Sequence, residues 1–156
     1  HYATGEAMHN DLVGRIAQSQ TFLEGLATLR QLSFALLDMA WHDARTAPSD
    51  LAALEAKVFE PLDLWPSVPE SCISSSFSHI FAGGYSAGYY SYKWAEVLDA
   101  DAYGFFKEHP DQAAKGFRAL LEAGGSIDPM ELYVAFRGRK PNAEALLRRA
   151  GLALTD

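Results

Sequence analysis

Apolar positions along this chain recur at three- and four-residue intervals for most of its length, and the residues that interrupt them fall where helices start and stop. Asn10 is placed to cap a helix opening at Asp11, and a second pattern runs over residues 22–45. In that pattern Leu26, Leu29, Leu32, Leu36, Leu37, Ala40 and Trp41 cover more than one stripe. Such breadth implies burial on several sides, in a body larger than the helix's own neighbours can build. Pro48 and Ser49 introduce a shorter helix over 50–60, with Ser49 as its cap. Residues 62–77, reading LDLWPSVPESCISSSF, hold two prolines and five serines and predict an irregular segment. Ser86 is placed to cap a helix beginning near Ala87, and Tyr89, Tyr92, Val97, Leu98, Ala102 and Phe105 carry that periodicity to Lys107. Pro110 restarts it, with Phe117, Leu120 and Leu121 on the inward side, and Gly124-Gly125 stops it. Asp128-Pro129-Met130-Glu131 then reads as a capping box with proline in the first helical position, followed by Leu132, Tyr133 and Phe136. A last helix is predicted from near Pro141 to just before Gly151. No strand ladder and no fixed repeat emerge, so the class is all-α with one functional loop.

Composition narrows this picture. A chain of 156 residues that is 49% hydrophobic can build one domain with a sizeable core. No uninterrupted apolar run reaches the roughly 18 residues a membrane span requires, and nothing at the start resembles a signal peptide. The single cysteine, Cys72, cannot form an internal disulfide, which fits a reducing, cytoplasmic setting. A net charge of −7 disfavours nucleic-acid binding, because neutralising phosphates needs a basic surface. The charge is uneven, with 14 acidic and 6 basic residues over 1–110 against 6 and 7 over 111–156. Arg137, Arg139, Lys140, Arg148 and Arg149 supply most of the latter; they read as a solvated helical face or as a docking site for an acidic surface.

The chemistry concentrates in residues 79–94, HIFAGGYSAGYYSYKW. One histidine and four tyrosines surround Gly83-Gly84 and Gly88. The glycines permit backbone angles and close approaches that a Cβ would obstruct, and the phenols both donate and accept hydrogen bonds. Tyrosines at such positions serve as core residues with satisfied hydroxyls or as donors to a developing oxyanion; both readings stand on spacing alone. No HExxH, paired CxxC, phosphate loop or dinucleotide fingerprint occurs. His79 has no second ligand at tetrahedral spacing, and a catalytic zinc needs about three protein ligands. Asp38 and His42, one turn apart, read as a hydrogen-bonded helix pair, and Cys72 among serines reads as loop composition in the absence of a nucleophile elbow. His109 is read as a turn residue, and Asp99 and Asp101 as structural.

HIFAGGYSAGYYSYKW with the following AEVLDADAYGFF resembles the C-terminal part of the zinc oligopeptidases related to thimet oligopeptidase, oligopeptidase A and bacterial peptidyl-dipeptidase. The similarity extends to HYATGEAM at the start, LRQLSFALLDMAWH over 29–42 and FRALLEAGGSIDPMELYVAFRGRKPNAEALLRRAG over 117–151. The resemblance implies the helical C-terminal portion, residues 1–156, of a two-lobed catalytic domain, with 62–92 as its irregular segment and Gly/Tyr-rich substrate loop. It implies a peptidase acting on short peptides. The zinc of the complete enzyme would be held by an HExxH helix and a downstream glutamate lying before His1, so no metal is expected on this chain, and alone it is expected to be inactive. Tyr92 matches the tyrosine that stabilises the tetrahedral oxyanion, with His79 assisting. Tyr85 and Tyr89 match tyrosines of the mobile glycine loop carrying Gly83 and Gly84, and these residues with His79 are expected to contact substrate. The six-residue interval from His79 to Tyr85 matches the bacterial-type members. A helical module that binds peptides or proteins without catalysis is the rival reading. Deprived of the missing N-terminal part, the broad apolar helix is expected to self-associate.

Overall fold

The computed structural model describes residues 1–66 and 68–152. Eight helices occur among them: α1 (Asn10–Ser19), α2 (Glu24–Asp43), α3 (Leu51–Phe59), α4 (His79–Ala82), α5 (Ser91–Glu108), α6 (Pro110–Ala123), α7 (Pro129–Arg137) and α8 (Glu144–Arg149). No strand is present among the described residues, in keeping with the all-α expectation. The chain divides into two compact units, residues 26–96 and the remainder.

Residues 1–25 and 97–152 build their core where α6 packs against α7. Phe105, Ala113, Tyr133 and Phe136 are buried together, with Leu98, Ala102 and Leu120 against them. The rings of Phe105 and Phe117 meet Phe136 edge-on at 5.5 and 5.7 Å between centroids, the geometry an aromatic quadrupole favours. Gly116 makes this approach feasible, since a Cβ there would sit 3.1 Å from the Phe136 ring. Of the three positions expected inward on α6, Leu120 packs against this core, whereas Phe117 and Leu121 are 43% and 63% exposed.

Asp128 caps α7 by accepting from the Met130 and Glu131 amides at 2.9 and 3.1 Å. Gly138 ends the helix in the left-handed region at φ 81, as a glycine at that position should. Beneath it Asp101, 2% exposed, accepts from Tyr133 Oη at 2.7 Å, Arg137 Nε at 3.2 Å and Arg139 Nη2 at 2.6 Å. The solvated-face reading of these two arginines is therefore corrected: they neutralise a buried carboxylate, and Arg137 also lies over the Phe105 ring at 4.8 Å. Burial raises the Asp101 carboxyl's pKa, but Tyr133 and the two arginines outweigh that and leave it below the ordinary range. His109 stands at the cap position of α6, its ring tilted against Phe105 at 5.4 Å.

Residues 26–96 contain most of α2, all of α3 and α4, and the start of α5. Ala35, Leu37 and Asp38 are the buried positions of α2. Leu32, Leu36 and Met39, at i, i+4, i+7, remain 39%, 45% and 43% exposed. The breadth of the apolar pattern is thus real, but one stripe of it lies uncovered. Glu55, buried on α3, accepts from the backbone of Ile73 and Ser74 at 3.1 and 2.6 Å and faces Cys72 Sγ at 3.5 Å. Ser74 Oγ in turn accepts from Trp41 Nε1 at 3.0 Å. One carboxylate thus supplies the backbone acceptors that an irregular, serine-rich segment lacks. Burial pushes the Glu55 carboxyl up, yet the hydrogen bonds from Ser74, then Ile73 and Cys72, leave it below its usual range.

Three caps differ from expectation. His9, extended at ψ 134, caps α1 in place of Asn10, with Nδ1 accepting from the Asp11 amide at 3.4 Å. Asp50 replaces Ser49 on α3, because its backbone is the extended one and its Oδ1 reaches the Ala53 amide at 3.0 Å. Ser86 caps nothing: its hydroxyl donates to the Ile80 carbonyl at 2.7 Å, and the helix opens only at Ser91. The last helix likewise begins at Glu144 and not near Pro141.

Candidate functional site

The segment 79–94 folds entirely within residues 26–96. His79 opens the single turn α4, and Ile80, fully buried, anchors that turn. Gly83 closes α4 by donating to the His79 carbonyl at 3.3 Å. A Cβ on Gly83 would lie 3.1 Å from that carbonyl oxygen, so a larger residue would require the turn to shift by a few tenths of an ångström. Gly84 follows in the left-handed region at φ 77. Gly88 donates to Tyr85 at 2.8 Å, Ser91 to Gly88 at 3.0 Å and Tyr92 to Tyr89 at 3.3 Å, successive turns that lead into α5.

This folding gathers the residues singled out from sequence. The His79 and Tyr85 rings are tilted at 6.2 Å, and Tyr85 stacks on Tyr92 at 5.2 Å with 26° between planes. Tyr89 completes the group, 5.0 Å from Tyr92 and 6.5 Å from Tyr85. Phe34 and Phe77 form its bed, at 5.9 and 5.1 Å from the Tyr89 ring. His79, Gly83, Gly84 and Tyr92 are exposed, Tyr85 and Tyr89 half-buried. Tyr90 is 55% exposed.

Two of these phenols are shifted toward the neutral form. Tyr92 is held above the ordinary tyrosine range, first by hydrogen bonding with Tyr85, then by desolvation and the neighbouring phenols of Tyr85 and Tyr89. Tyr89 is raised by burial, against a smaller opposing influence from the Arg30 guanidinium. Its hydroxyl reaches Gln31 Oε1 at 3.5 Å, the limit of a hydrogen bond. Both phenols therefore keep their protons at neutral pH and can donate as well as accept a hydrogen bond.

Sequence reasoning missed what fixes this array. Asp38 and His42 do form the expected pair, with His42 Nδ1 2.8 Å from Asp38 Oδ1 and 2.8 Å from its carbonyl oxygen. Both neighbours accept, so Nδ1 carries the proton. The same carboxylate also accepts the Ala87 and Tyr89 amides, each at 2.9 Å. A lone acid inside the apolar run LSFALLDMAW is the signal that could have been followed, since a buried charge demands partners. Glu55, in LAALEAKVF, carries the same signature.

Among the described residues, no group of three or more His, Cys, Asp or Glu could hold a metal ion, and no helix is long and apolar enough to cross a membrane. Cys72 lies against Glu55, so its contacts are those of loop packing.

Comparison with known proteins bears on the whole chain. It is 40% identical over 162 residues to the chloroplastic and mitochondrial organellar oligopeptidase A of Arabidopsis thaliana, covering 97% of this chain and 20% of the relative. With oligopeptidase A of Haemophilus influenzae it is 41% identical over 164 residues, covering 97% and 23%. With the dipeptidyl carboxypeptidase of Escherichia coli it is 39% identical over 160 residues, again covering 97% and 23%. The chain thus spans between a fifth and a quarter of the length of these relatives. The model of peptidase family M3 matches residues 1–152, a span that takes in every helix and the tyrosine cluster, and the chain belongs to that family.

Proposed function

We propose that this chain is the C-terminal part of a two-lobed peptidase catalytic domain, closest to the bacterial-type members, and that it supplies the oxyanion and substrate-contact side of the active site. Its substrates are short peptides. The observation that carries this reading is the exposed Tyr92 phenol, flanked by the Tyr85 and Tyr89 rings and held protonated. As a scissile carbonyl carbon turns tetrahedral, negative charge grows on its oxygen and a hydrogen bond from Tyr92 Oη strengthens, lowering the barrier selectively. His79, on the same cluster, provides a second contact to that region. Tyr85, Tyr89 and the backbone of Gly83 and Gly84 contact the substrate main chain, and closure of this loop aligns the donors and excludes bulk water.

Zinc, implied by the family for the complete enzyme, does not fit the residues described here. His79 has aromatic neighbours in Phe77 and Tyr85, and no third ligand joins any acidic or histidine pair among the described residues. The reading places the metal on parts of the enzyme outside this chain.

The rival reading is a helical module that binds peptides without cleaving them. One experiment separates the two. In the complete peptidase bearing this segment, Tyr92→Phe is expected to lower kcat by about 10²–10³-fold, the scale for one lost oxyanion donor, with KM little changed. Wild-type kcat in that variant would defeat the assignment. Peptide binding by a complete protein that hydrolyses none of the bound peptides would establish the module instead.

A further inference from the structure

We infer that Asp38 is a positioning residue for the tyrosine array, a buried carboxylate that clamps the turn carrying Tyr89 and thereby sets where the Tyr92 phenol stands; the inference rests on the oxyanion role proposed for Tyr92. Asp38 is 0% exposed on α2. Its two oxygens divide the work: Oδ1 takes the Ala87 amide and His42 Nδ1, and Oδ2 takes the Tyr89 amide. The amides it holds lie 49 and 51 positions further along the chain, so this is a tertiary clamp and not a local cap.

The turn shows the effect of being held. Ala87 sits at φ 54, a left-handed conformation that an L-residue with a Cβ avoids. That conformation aims the amides of residues 87 and 89 toward one point, forming a small anion-binding concavity. Here the anion is the protein's own carboxylate. Strain of this kind persists where surrounding structure over-determines it, and it clusters at sites where geometry matters.

The clamp connects to the phenols through Tyr89. Phe34, one helical turn before Asp38 on α2, lies 5.9 Å from the Tyr89 ring, so one face of one helix holds both the backbone and the side chain of that residue. Tyr92 then leans on Tyr89 at 5.0 Å and on Tyr85 at 5.2 Å. A phenol displaced by even about 1 Å loses alignment with a developing oxyanion, at a cost of up to about 10²-fold in rate.

The test uses the complete peptidase. Asp38→Asn preserves shape but turns an NH₂ toward one of the two amides. It is expected to lower kcat about tenfold or more with a smaller change in KM, and to lower it less than about twofold further in a Tyr92→Phe background, since both changes disable one device. Undiminished kcat, or equal losses in both backgrounds, would overturn the role. Amide hydrogen exchange on the wild-type enzyme serves where the variant does not fold: slow exchange at Ala87 and Tyr89 is expected, and rapid exchange at both removes the clamp. A normal Tyr92→Phe loss with rapid exchange would remove the positioning role alone. Wild-type kcat in Tyr92→Phe would instead remove the functional reading, and this role with it, whatever the exchange rates.

Discussion

At the scale of single residues, the candidate site depends on two glycines for different reasons. Gly83 is constrained by space, because a Cβ would press on the His79 carbonyl at 3.1 Å. Gly84 meets nothing within 4 Å but adopts φ 77. Gly84→Ala is therefore expected to destabilise the fold by about 1–2 kcal/mol through backbone strain alone, read as a lower urea midpoint at unchanged slope. An unchanged midpoint would mean the turn relaxes to an ordinary conformation. The clustering of the tyrosines with His79 was legible in sequence because they lie within 14 residues of each other, whereas Asp38 looked like half of a local pair. Nothing within one helical turn of Asp38 announces the amides of Ala87 and Tyr89.

At the scale of elements, helix caps and buried carboxylates share the task of satisfying backbone groups. The cap at Asp128 was predictable because proline and glutamate follow it in fixed positions. The caps at His9 and Asp50 were each displaced by one residue from the expected position, since which neighbour turns extended depends on how the chain enters the helix. Glu55 and Asp101 do the longer-range work, and both sit below their ordinary carboxylate ranges despite burial. With folded pKa values depressed, their contribution is fully present above the unfolded values, about 4.3 for Glu and 3.9 for Asp, and is lost as pH falls through the folded values. Urea midpoints should hold between pH 7 and 5 and fall progressively below about pH 4. Glu55→Gln should flatten part of that acid limb, and an identical limb in the variant would show that Glu55 is not protonated on unfolding.

At the scale of the whole molecule, the chain carries an apolar stripe that its own described residues leave uncovered. Leu32, Leu36 and Met39 share one face of α2, a helix whose sequence pattern is too broad for one buried side. The relatives matched are four to five times longer, and the proposed reading gives that stripe to their additional mass. The 156-residue chain by itself is expected to associate with increasing concentration in sedimentation velocity, and Leu36→Glu to reverse that. A monomer across the accessible concentration range would remove the expectation.

The sequence alone determined the helical class, most helix spans and the grouping of His79 with the tyrosines, because periodicity, caps and turns act across a few residues. Its resemblance also led to the family. Tertiary structure alone decided that Arg137 and Arg139 serve a buried Asp101, that Glu55 organises the serine-rich segment, and that Asp38 holds the turn bearing Tyr89. Those partners lie 17 to 51 positions apart. A buried carboxylate requires donors, but which donors reach it depends on where the folded chain returns.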